Sequence, residues 1–197
     1  MKKTIFNAEL MRFTNNNVRE SAETILEILP DYFYEVPASS SGKYHPNFSL
    51  GEGGLVRHVK AAMQFLEDMF ENEAFGVFDD YTKDLIRMAL LLHDGLKSGL
   101  EYGGHTCFDH PVIMSNYIIE NMDKLSISEE DARFVARLII THMGPWNKDK
   151  QGNVVMPVPE TKAELLVHLC DYVVSRKMFS VPSLENNDSQ TLNLTHN

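Results

Sequence analysis

Cysteine is scarce: Cys107 and Cys170 are the only two in 197 residues. That is no disulfide framework, so the fold must rest on a hydrophobic core, and a reducing compartment suits it better. Long apolar runs are missing as well. No stretch approaches the roughly 20 apolar residues that span a bilayer. Met1-Lys2-Lys3-Thr4-Ile5-Phe6 has the charges of a secretory leader without its apolar segment. A cytoplasmic location and no membrane partner are expected. Positive charge is in deficit, with 18 Lys and Arg against 28 Asp and Glu and a formal net charge of −10. An acidic chain lacks the basic face that holds a nucleic-acid backbone, which argues against an extended duplex as partner. A small phosphorylated ligand stays compatible, because a metal can supply positive charge locally. Repeats and low-complexity blocks are also absent.

What remains is the composition of a globular domain, 43% hydrophobic and 23% charged. Three parts are expected: an N-terminal segment 1–17, one domain over 18–178 and a polar, mobile tail over 179–197. Helical periodicity dominates. Val18, Ala22, Ile25, Leu26 and Leu29 recur at helical spacing, with Asn15-Asn16-Asn17 ahead and Pro30 behind. Tyr32 to Pro46 contains Pro37, Gly42 and three serines and reads as a loop. From Gly53-Gly54 a helix carries Leu55, Val59, Ala62, Leu66, Met69 and Phe70 on one stripe. A third helix is predicted over Tyr81–Asp94, a glycine-punctuated loop over 98–108, and a helix from the Asp109 cap to about Met122. Ser128 and Asp131 resemble a capping box for a helix ending at His142, with Phe134, Val135, Leu138 and Ile139 inward. Residues 143–159 read as a loop in which Val154-Val155-Met156 could pair as a short strand. Thr161 and Glu164 cap the last helix, whose apolar positions are Leu165, Leu166, Leu169, Cys170 and Val173.

Certain residues sit badly in this apolar pattern. His58 lies on the stripe of the Gly54 helix. Leu90-Leu91-Leu92 runs straight into His93-Asp94, and Lys97 follows. His110 stands at a helix start, His142 at a helix end, and Asp171 one turn after Val167. Burying an unpaired carboxylate costs several kcal/mol, roughly, so such groups are normally paired or bound to metal. One buried histidine is ordinary; six imidazoles and carboxylates on successive helices call for an ion. Mixed imidazole and carboxylate ligands suit Mn, Fe, Zn, Co or Ni better than Mg alone, although Mg stays admissible.

His58, then His93-Asp94 with Lys97, then Asp171, resembles the H…HD…D pattern of the HD-domain metal-dependent phosphohydrolase superfamily, in its His-Asp-x-x-Lys form. His110 and His142 match the two intervening histidines of its two-metal branch. Gly54-Leu55-Val56-Arg57-His58, Thr141-His142-Met143-Gly144 and the stretch from Pro159 to His168 look like the HD domains of bacterial 3′–5′ exoribonucleases. Small stand-alone bacterial and phage HD proteins are similar too. The resemblance covers about residues 30–176. It implies an all-α fold, an HD-domain helical bundle with ligands from several helices around a central metal site. It implies one metal held by His58, His93, Asp94 and Asp171, with Asp94 bridging to a second held by His110 and His142. Many relatives carry another histidine where this chain has Met143, so one or two ions remain open. No Gly-Tyr-Pro extension follows His142, which disfavours cyclic-di-GMP as substrate.

The activity so implied is hydrolysis of a phosphoester or phosphoanhydride in a nucleotide or short oligonucleotide, by water activated at the metal. Asp94 and Lys97 would be catalytic, Lys97 against the transferred phosphate. Lys43, His45 and His105 are further candidates for substrate contact; the group that protonates the leaving oxygen is left open, with His105 a candidate from the adjoining loop. His168 reads as a packing or supporting residue. Arg176 helps only if its helix end lines the mouth. Two other readings stay open: a 3′–5′ exonuclease on short single strands, with Tyr32, Phe33, Tyr34, Tyr44 and Trp146 as stacking residues, and a metal-containing module that sequesters a phosphorylated ligand. Oligomeric state is left open.

Overall fold

The helix Asp80–Leu92 is the axis of the molecule. Asp79 caps it, accepting from Thr82 N at 2.7 Å. From Asp84 to Leu92 every residue is buried, and a helix apolar on all sides must be surrounded by others. In the computed structural model, which describes residues 2–179, the surrounding elements are all helical. They are α1 (Asn7–Leu10), α2 (Asn16–Ile28), α3 (Gly54–Phe70), α5 (His110–Glu120), α6 (Glu129–Ile140) and α7 (Lys162–Val174), with Asp80–Leu92 as α4. Short 3-10 turns lie at Lys2–Phe6, Asp31–Tyr34, Asn47–Ser49 and Met122–Lys124. α4 packs on α2, α3, α6 and α7, while α5 lies against α6. The expected all-α bundle is what is found. No helix among the described residues is long and apolar enough to cross a membrane.

Most predicted elements shift by only a residue or two. α2 begins at Asn16 because the Asn15 side chain accepts from Asn17 and Val18 N. The Thr161–Glu164 capping box forms in full. Other expectations are corrected. α4 and α6 stop at Leu92 and Ile140, so His93, Asp94 and His142 lie in the turns just beyond. Asp109 occupies the N-cap position without a side-chain cap bond. Val154 makes one isolated bridge to Lys148 and no strand. On α7 the buried stripe is Ala163, Leu166, Val167, Cys170 and Val174, and Leu165 is exposed. The helix is rotated from the face its leucines suggest, because Asp171 must point to the centre.

The N-terminal segment is part of the same core. Phe6, Leu10 and Phe13 are buried with the residues of α2, α3 and α4. At the other end Phe179 packs edge-on against Phe65 at 5.9 Å. The polar stretch 180–197, expected to be mobile, lies outside the described residues.

The loop 35–50 is clamped over the start of α3. Gly53 N donates to Glu35 O at 2.7 Å, Leu55 N to Val36 O at 2.9 Å, and Arg57 reaches Phe48 O and Leu50 O. The fit leaves no room for a side chain at residue 54, since a Cβ there would meet Ser49 O at 2.3 Å and Pro37 Cα at 3.1 Å. Gly54→Ala should therefore push the loop off the helix and destabilise the fold by about 1–3 kcal/mol. The measurement is a denaturation midpoint together with amide exchange over 36–50. Wild-type values for both would contradict the close approach.

Candidate metal centre

α4 ends in the middle of the bundle, and this position makes His93 and Asp94 fully buried. α3 brings His58 alongside; its Nε2 lies 3.0 Å from Asp171 Oδ1 on α7 and 3.8 Å from Asp94 Oδ2. From the opposite side the start of α5 and the turn after α6 bring His110 and His142, whose Nε2 atoms stand 3.2 Å apart. His110 Nε2 is also 3.0 Å from Asp94 Oδ1. Two sets of donor atoms result, His58, His93, Asp94 and Asp171 in one and Asp94, His110 and His142 in the other. Within each set every donor atom is within 4.8 Å of the rest, and Asp94 is common to both. The six residues singled out from the sequence are thus brought together.

The ring orientations decide what such a cluster suits. His93 Nδ1 meets Leu90 O at 2.6 Å, His110 Nδ1 meets Cys107 O at 2.7 Å, and His142 Nδ1 meets Ile139 O at 2.7 Å. A carbonyl only accepts, so each Nδ1 carries a hydrogen and, in the neutral ring, each Nε2 presents a lone pair to the centre. This is the arrangement in which a backbone carbonyl orients an imidazole toward a metal. Without an ion it is frustrated: His110 and His142 oppose lone pair to lone pair, and His93 Nε2 and Asp94 Oδ1 are buried with no hydrogen-bond partner. Unpartnered polar atoms at the centre of a core are costly, and a divalent cation would satisfy them. The residues present fit such an ion.

Electrostatics agree. Burial pushes the Asp94 carboxyl up, but the charges of Lys97 and His93, with the His110 ring close by, hold it well below the usual carboxylate range. Asp171 is likewise held well below that range, burial being overcome by His58 and His93. Burial alone would lower His93; Asp94 and Asp171 overcome it and push it up to about 10. At 3.4 and 3.6 Å from those carboxylates, His93 Nε2 holds its proton by charge in the space a cation would take, so proton and metal compete. His142 goes the other way, pushed down to about 3 by burial and by the neighbouring His93 and His110. Its lone pair is available at any ordinary pH.

A cleft of about 810 Å³ opens above the cluster. His110, His142 and Asp171 reach its floor, together with Lys97, whose ammonium pairs with Asp94. Ser39, Ser40 and Ser41 line one side with His105 and Thr106; Trp146, His168, Tyr172 and Arg176 line another. His45 lines it too, 5.8 Å from the His58 ring. Lys43 stands outside the lining, its ammonium over the Tyr44 ring. His105 is exposed, its Nδ1 donating to Gly103 O.

The aromatics of the sequence divide. Phe33 is wholly buried, Tyr34 donates to Leu26 O, and the buried Tyr32 hydroxyl donates to Gly99 O. These three hold the loops in place and are not free to stack on a ligand. Tyr44 and Trp146 do face the cleft. Tyr172 was not foreseen, although it adjoins Asp171 and stands one turn before Arg176. His168 is a supporting residue, as expected. Its Nδ1 donates to His142 O at 2.7 Å, and a Cβ on Gly144 (φ +58°) would meet its ring at 2.3 Å. No known protein family, curated protein or solved structure matches this chain.

Proposed function

We propose that the protein is a metal-dependent phosphohydrolase of the HD-domain type. Its substrate would be a nucleotide or short oligonucleotide. The observation that carries the reading is Asp94, shared by two buried sets of ligand atoms beneath a cleft that also receives Lys97. His58, His93, Asp94 and Asp171 would hold one divalent ion, and Asp94, His110 and His142 a second. When bound, such ions supply Lewis acidity toward a phosphoryl oxygen and make water acidic enough to ionise near neutral pH.

The chain's own residues do the rest. Carbonyls of Leu90, Cys107 and Ile139 fix three imidazoles before any ligand arrives, so little reorganisation is needed. Lys97 gives the cleft floor a positive charge and stabilises negative charge on a phosphoryl group there. Ser39, Ser40 and Ser41 offer hydroxyl donors on the facing loop. A cleft of about 810 Å³ lies within the usual range for small-molecule sites, roughly 300–1,000 Å³. It would take a mononucleotide or the end of a strand, and not a duplex.

The test is metal analysis of protein purified without chelator, followed by a hydrolysis screen of nucleotides and short oligonucleotides with Mn²⁺, Ni²⁺ or Mg²⁺. Bound transition metal and released phosphate or nucleoside are expected, both lost on chelation and in His93→Ala. Metal-free protein inert toward the whole panel would sink the reading. Tight nucleotide binding without turnover would point to a sequestering module.

A further inference from the structure

One wall of the cleft is a continuous aromatic stack. Trp146 and Tyr172 lie nearly parallel, with ring centres 4.9 Å apart and planes at 16°. The Arg176 guanidinium sits 4.6 Å from the Tyr172 ring and 5.6 Å from the Tyr44 ring, joining the end of α7 to the 35–50 loop. His168 supports the stack from below, 6.0 Å from Trp146 and 5.9 Å from Tyr172.

Two features set this wall apart from core packing. The rings at its ends are open, Trp146 being 49% and Tyr44 55% exposed, although both line the cleft. Large apolar rings left facing a concave site are where a ligand's apolar part is held. The wall is also tied to the candidate metal centre. Tyr172 follows Asp171 directly, and His168 holds the carbonyl of His142. A ligand whose charged end meets Lys97 and the ion cluster therefore has its other end beside flat π surfaces and a guanidinium.

We propose that Trp146, Tyr172, Arg176 and Tyr44 form a base-stacking subsite, which takes the purine or pyrimidine of a nucleotide whose phosphate lies at Lys97. The inference rests on the phosphohydrolase reading for the phosphate end only. Stacking on rings and arginine accepts any base, because every base has a π face. Selection is thus for a nucleoside phosphate over a sugar phosphate, with little discrimination among bases.

Trp146 is the only tryptophan in the chain, which makes it a reporter. Metal-loaded full-length protein is titrated with an AMP analogue whose bridging 5′ oxygen is replaced by carbon, and separately with methylphosphonate. Neither is hydrolysed. The analogue should quench Trp146 emission and bind at least about tenfold more tightly than methylphosphonate. By calorimetry, Trp146→Leu and Tyr44→Leu should each weaken the analogue about tenfold while methylphosphonate binding stays unchanged. Both rings are half exposed, so neither change opens the core. An analogue that binds no better than methylphosphonate, or variants that leave its affinity intact, overturns the subsite. If no phosphoester is cleaved yet the analogue still binds through these rings, the subsite stands and the hydrolase reading falls.

Discussion

Asp94→Asn is expected to remove metal from both sets of ligands at once. Its carboxylate is the one group common to them, fully buried, and ionised through Lys97 and His93. An asparagine keeps the volume and loses the charge. Two ions next to six side chains of which only Asp94 and Asp171 are anionic would then face a single carboxylate. Metal content should fall well below one ion per chain, and phosphoester cleavage should drop at least about a hundredfold. Lys97 would lose its ion-pair partner, but its partial exposure lets it turn toward solvent. The fold should therefore survive, with an unchanged far-ultraviolet circular dichroism spectrum. A control separates bridging from ordinary ligation: His110→Ala touches only one set and should leave about one ion bound. An Asp94→Asn protein that retains its full metal complement would contradict the shared-ligand arrangement.

The second large effect concerns stability, at the far end of the same helix. Asp84 is wholly buried, and its Oδ2 accepts from Thr14 N at 2.9 Å, Thr14 Oγ1 at 2.9 Å and Asn15 N at 2.7 Å. Its Oδ1 accepts from Arg87, which in turn pairs with Glu67 through two bonds of 2.8 Å. One carboxylate thus ties the N-terminal segment to α4 and completes the pairing of a mostly buried guanidinium. Asp84→Ala leaves two backbone N–H groups and an arginine short of partners. Breaking a buried pair from one side costs about 3–5 kcal/mol, on the order of 10 °C in melting temperature for a chain of this length. Calorimetry reads the shift directly. A loss below about 1 kcal/mol would mean that water replaces Asp84, making the segment 2–15 a loose attachment.

These two carboxylates show where sequence reading succeeds. Asp94, His58, His93, His110, His142 and Asp171 were legible because they lie on apolar stripes or at helix ends where an ordinary core has no use for imidazoles and carboxylates, and six such residues in one chain stand out together. Asp84 was not legible. It lies near the start of α4, where an acidic residue is unremarkable, and its partners Asn15 and Thr14 are 69 and 70 residues away. Helix starts were read well where a side chain caps its own backbone, as at Asn15, Ser128 and Thr161. Helix ends were read two residues too late at Leu92 and Ile140, because the chain continues into turns that stay buried.

By itself, then, the sequence determined a run of helical segments and the identity of six side chains unsuited to an ordinary core. Local hydrogen bonding and helical periodicity suffice for that. Tertiary structure decided three further matters. It made Asp94 the common member of two ligand sets, turned three imidazoles inward through carbonyls of their own turns, and assembled a stacking wall from residues 44, 146, 172 and 176. Nothing in the linear order brings Tyr44 to Arg176. Packing of the 35–50 loop over α3 against the end of α7 does, and that contact depends on shape across the whole bundle.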